Sequence, residues 1–96
     1  MENKRKAYEE KLDAQLAELA AQIRLFKAKA ATSKAEAKVE YYRAIDALQL
    51  KQSEASAKLR QMKSAGNEAW EDFKSGAEKA WEDMMKAYDD ARSRFK

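Results

Sequence analysis

The tetrapeptide Ala69-Trp70-Glu71-Asp72 recurs eleven residues later as Ala80-Trp81-Glu82-Asp83, and the same phase carries Met62, Phe73, Met84 and Phe95. Eleven residues make three helical turns at about 3.67 residues per turn, so each repeat brings its large side chain back to one side of a nearly straight helix. No proline interrupts the chain. These constraints predict an all-α protein built by helix packing.

What such helices can bury is limited. Of 96 residues, 39% are charged, and twenty of the 43 hydrophobic residues are alanine. The remaining 23 large apolar side chains make a thin core for one domain, with no cysteine available for a disulfide. A chain of this kind needs long helix-helix contact or a partner subunit to offset the entropy of ordering. The composition, rich in Ala, Glu, Lys, Leu and Arg, is that of coiled coils.

Between Leu12 and Ala37 the apolar stripe runs Leu12, Leu16, Leu19, Ile23, Phe26, Ala30, Ser33 and Ala37, in alternating steps of four and three. This heptad spacing favours a left-handed seam. The face continues through Tyr41, Ala44 or Ile45, Leu48, Ala55, Leu59 and Met62. The firmest stop is Lys63-Ser64-Ala65-Gly66-Asn67. There Gly66 suits a left-handed position after the helix, and Asn67 suits an N-cap. Acidic residues then open the last helix and Arg92, Arg94 and Lys96 close it, in accord with the helix dipole.

The preferred reading is one domain over 1–96, with a helix over about 3–63, a turn over 64–67 and an antiparallel helix over about 67–95. The long helix would run ~90 Å. Ser33 with Glu36 has the form of a capping box. It supports an alternative bundle of three helices near 3–31, 33–64 and 67–95. In the hairpin, Leu12, Leu16, Leu19, Ile23 and Phe26 lie beyond the reach of the short helix. At about 1.5 to 3 kcal/mol each, their exposure calls for a second chain, and a dimer is the simplest homo-oligomer. Gly76, inside the last helix, implies a close neighbour.

Catalysis finds little support. There is no histidine or cysteine, and Glu9-Glu10, Glu71-Asp72, Glu82-Asp83 and Asp89-Asp90 read as solvated helix charges rather than an acid-base pair. No catalytic residue, cofactor or metal site is expected. The stripe Trp70, Phe73, Trp81, Met84, Tyr88 and Phe95 reads as core laid over Leu48, Leu59 and Met62. Its competitor is a lipid-surface face of apolipoprotein-like habit. Residues 67–96 hold eight acidic and six basic residues, a net of −2 that favours core. Residues 1–66 hold 14 basic and nine acidic residues, enough for weak, nonspecific attraction to nucleic acid but without the interleaved aromatics of a stacking platform. No run approaches the roughly 18 apolar residues of a membrane span, and the start lacks a signal-peptide core, so a cytoplasmic protein is expected.

Residues 7–16, Ala37-Lys38-Val39-Glu40-Tyr41-Tyr42, the paired Trp-Glu-Asp repeats and Ser93-Arg94-Phe95-Lys96 together resemble the small bacterial coiled-coil proteins described as stress-inducible. The resemblance covers nearly the whole chain. It implies a non-enzymatic helical protein linked to stress responses, with no catalytic or ligand residues to carry over. The chain as a whole reads as a coiled-coil protein that self-associates and acts by binding, as a scaffold or holdase for protein clients.

Overall fold

A computed structural model describes residues 2–95, with Glu2 described in its backbone only. It contains three α-helices: α1 (Glu2–Ala31), α2 (Ala35–Ser64) and α3 (Asn67–Arg94). Each has 28 to 30 residues, about 45 Å of helix, and they run antiparallel in sequence within a body of 51 × 17 × 17 Å. The protein is therefore all-α, in the three-helix arrangement. The single helix over 3–63 is corrected by a break at 32–34.

That break is made by hydroxyls. Ser33 Oγ and Thr32 Oγ1 both donate to the Lys29 carbonyl, at 2.7 and 3.2 Å. They take up a terminal acceptor that a continuing helix would use. Lys34 is then extended (φ −65°, ψ 150°), and its carbonyl accepts the N–H groups of Ala37 and Lys38 at 3.0 Å. The Ser33–Glu36 capping box does not form, because Lys34 holds the N-cap position and no side chain caps it.

The second connection falls where expected but is built differently. Gly66 has φ −69° and ψ 163° and serves as N-cap of α3, while Asn67 is the first residue inside that helix. The left-handed glycine and the Asn67 cap are both corrected. Arg5 supplies the reason: its Nη2 donates to the carbonyls of Ala65, Lys63 and Met62 at 2.7, 3.1 and 3.2 Å, and Nη1 donates to Asn67 Oδ1 at 2.9 Å. A cation from α1 satisfies the end of α2, where a glycine-based C-cap would otherwise do so.

Folding back α1 covers the first stripe within the chain. Leu12, Leu19, Ile23 and Phe26 are all 5% exposed or less, and Leu16 is half-buried against them. Those side chains need no second subunit to leave water. Leu48, Leu59, Met62 and Met84 lie fully inside, Trp70 and Trp81 are buried, and Tyr88 and Phe95 pack at the margin. Phe73 departs from the expected stripe at 37% exposure, because at about 100° per residue it falls on the margin of the face centred on Trp70, Ala77, Trp81 and Met84. No buried side-chain polar atom lacks a partner among the described residues. No described helix is long and apolar enough to cross a membrane.

Candidate binding groove between the first and third helices

The three seams are unequal. Among the described residues α2 approaches both neighbours closely, yet no Cα of α1 lies within 8 Å of a Cα of α3. Large side chains bridge that wider gap. Trp70 Nε1 donates to Glu9 Oε2 at 3.0 Å, and Trp81 Nε1 donates to Gln15 Oε1 at 2.9 Å. The repeated tryptophans thus aim their indole N–H groups at α1, where burial leaves them a polar partner.

On the outer side of each bridge the seam opens to solvent. One cleft of about 510 Å³ is lined by Gln15, Glu18, Leu19, Trp81, Met85 and Tyr88, among others. Met85 is 45% exposed beside buried Met84, so a flexible thioether rims an aromatic wall. Glu18 is the carboxylate in its lining; farther towards the start of the seam, Glu78 acts on the phenol of Tyr8. Burial first, and then Glu78, raise the Tyr8 pKa above its usual value, because both disfavour the phenolate.

A second cleft, of about 480 Å³, lies at the start of α1 and α3. Tyr8 and Trp70 meet edge to face there at 5.8 Å. Lys74 Nζ stands 5.0 and 5.6 Å from their ring centres, and the Arg5 guanidinium lies 5.7 Å from Trp70. These cations occupy the ring faces themselves. At the opposite end Phe95 stacks between Phe26 and Tyr41, at 4.7 and 4.3 Å, while Arg94 pairs with both Glu40 and Asp90.

The expected packing residues are therefore brought together, with Phe73 at the rim. Sequence reading misses Arg5, Glu9, Gln15 and Lys74. Tyr8 alone carried a signal, standing four residues before Leu12 in the heptad phase. No group of three or more acidic side chains is placed to hold a metal among the described residues. Fold and groove together define the class as a three-helix bundle with one splayed, aromatic seam. No protein-family model, curated protein or solved structure matches the chain.

Proposed function

We propose that this protein is a non-enzymatic binding module, of scaffold or holdase type, that receives an amphipathic helix of a protein partner along the α1–α3 groove. The observation that carries this reading is the splayed seam, where exposed Met85 and half-buried Tyr88, backed by the buried ring of Trp81, line an open cleft. An amphipathic helix laid in such a groove buries its apolar face against these side chains. Glu18 in that lining favours a partner helix with a basic flank. The likeness to stress-inducible bacterial coiled-coil proteins supports placing that binding in a cytoplasmic stress response.

A basic amphipathic peptide and an acidic peptide of the same apolar pattern test the reading, with tryptophan emission as the signal. Saturable, salt-sensitive binding of the basic peptide is expected, weakened about tenfold or more by Met85→Lys with the melting temperature unchanged. Equal binding of both peptides, or indifference to Met85→Lys, would sink it. The eleven-residue repeat of α3 supports a second reading, docking on a lipid surface. That reading needs the bundle to open, because both tryptophans are 8% exposed and hydrogen-bonded to α1. Flotation with anionic vesicles separates the two.

A further inference from the structure

The connection that separates α1 from α2 contains nothing that forbids a helix. Thr32, Ser33 and Lys34 include no glycine or proline, and no described residue has positive φ. Alanines crowd both sides, at Ala28, Ala30, Ala31, Ala35 and Ala37, and favour helix strongly. Against this, the bend is held by one extended residue and two exposed hydroxyl bonds to Lys29. What keeps the chain folded at this point is the packing of α1 onto α2 and α3.

None of that packing requires α1 to belong to the same chain. Arg5 reaches the end of α2, Asp13 pairs with Lys63, Gln15 accepts from Trp81 and Phe26 stacks on Phe95. Each contact joins α1 to the α2–α3 hairpin, and a second copy offers the same hairpin. We propose that Thr32–Lys34 is a hinge through which two copies of this chain exchange α1, with α1 and α2 of each copy merged into one helix.

The geometry closes. A merged helix over 2–64 runs ~95 Å, and two such helices crossing antiparallel at their hinges lay each α1 along the other copy's α2. That is the direction in which α1 already lies on its own α2, so Arg5 still meets Ala65 and Phe26 still meets Phe95. A short connection between a terminal element and its neighbour is the setting in which exchange is least costly. The inference does not depend on the groove's ligand, because exchange leaves the α1–α3 seam intact.

With no cysteine in the chain, Asp13→Cys and Lys63→Cys can be made singly at positions whose side chains are 51% and 42% exposed and meet at 2.7 Å. The two variants are mixed, unfolded, refolded together at high concentration and treated with a short bismaleimide. Exchange predicts a covalent heterodimer joining position 13 of one chain to position 63 of the other. In the background Thr32→Ala/Ser33→Ala, which removes both hydroxyl bonds and favours helix through the hinge, dimer affinity should rise about tenfold. A Gly-Ser-Gly insertion after Ser33 should abolish the heterodimer while leaving helicity unchanged. Monomers without cross-linked heterodimer, in the native hinge and in Thr32→Ala/Ser33→Ala alike, would overturn the proposal. So would a dimer in which the insertion changes nothing, since that marks association through the outer surface.

Discussion

The seam between α2 and α3 and the seam between α1 and α3 solve the same problem with opposite residues. α2 and α3 lie close, and the fully buried residues on them include Ala55, Ala77 and Ala91. Small side chains let the backbones approach, and the buried contact is apolar. α1 and α3 stay apart, and two tryptophans span the gap with their N–H groups on Glu9 and Gln15. One seam holds by closeness and the other by reach. The second therefore leaves clefts and exposed apolar atoms.

Emptying the wide seam should produce the largest effect. Trp81→Ala removes a ring that is 8% exposed and leaves Gln15 without its donor, at a cost of about 3 kcal/mol. For a domain near this size that lowers the melting temperature by roughly 12 to 24 °C, readable by circular dichroism. Filling the close seam works in the other direction. Ala77→Leu puts three further carbons where exposure is already 0%, and overpacking should cost about 1 to 3 kcal/mol. The same leucine at Ala14, which is exposed, should change stability by less than about 0.5 kcal/mol. A tolerated Ala77→Leu would show that closeness is not what holds α2 to α3.

Arg5 ties the two seams together at one end. Its guanidinium spans three terminal carbonyls of α2, the Asn67 side chain of α3 and the Glu9 carboxylate of its own helix. Only a planar fork reaches that many acceptors at once, so Arg5→Ala should cost about 1 to 2 kcal/mol, and Arg5→Lys should recover little of it. Denaturant midpoints measure both. Full recovery by lysine would mean that the charge at the end of α2, rather than the fork, is what matters.

The parts legible beforehand are those that periodicity alone can carry. The heptad run Leu12 to Phe26 and the later Leu48, Leu59 and Met62 announced their buried faces, because a helix repeats its inward side at fixed spacing whatever it packs on. The stop near Gly66 was legible as a place, though not as a conformation. Its left-handed form was unnecessary once Arg5, sixty residues away, capped α2. The break at Thr32–Lys34 was offered only by the Ser33–Glu36 pattern, which plays no capping part. Local propensity there favours helix, and burial of four large side chains on α1 overrides it. The partners of Trp70 and Trp81 lie 61 and 66 residues distant. Their pairing depends on the register that the two connections set, which no local pattern encodes.

The two glycines sharpen the comparison with the smallest effect. Gly76 lies inside α3 on the side facing α2, and a Cβ there would stand 4.0 Å from Lys58 Cδ, ordinary contact with a flexible side chain. The close neighbour expected at Gly76 is thus not one that requires glycine. Replacing it with alanine removes the entropic penalty of a mid-helix glycine without a clash, so Gly76→Ala should stabilise by up to about 1 kcal/mol. At Gly66 nothing lies within 4 Å of a new Cβ, and φ of −69° suits any residue. The gain in the unfolded chain is offset there by alanine's poor fit at an N-cap, so Gly66→Ala should change stability by less than about 0.5 kcal/mol. Thermal melts of the two variants side by side decide the matter. A loss at Gly76 would mean that α2 and α3 approach more tightly at Lys58 than 4.0 Å allows, and the close seam would then depend on glycine as well as on alanine.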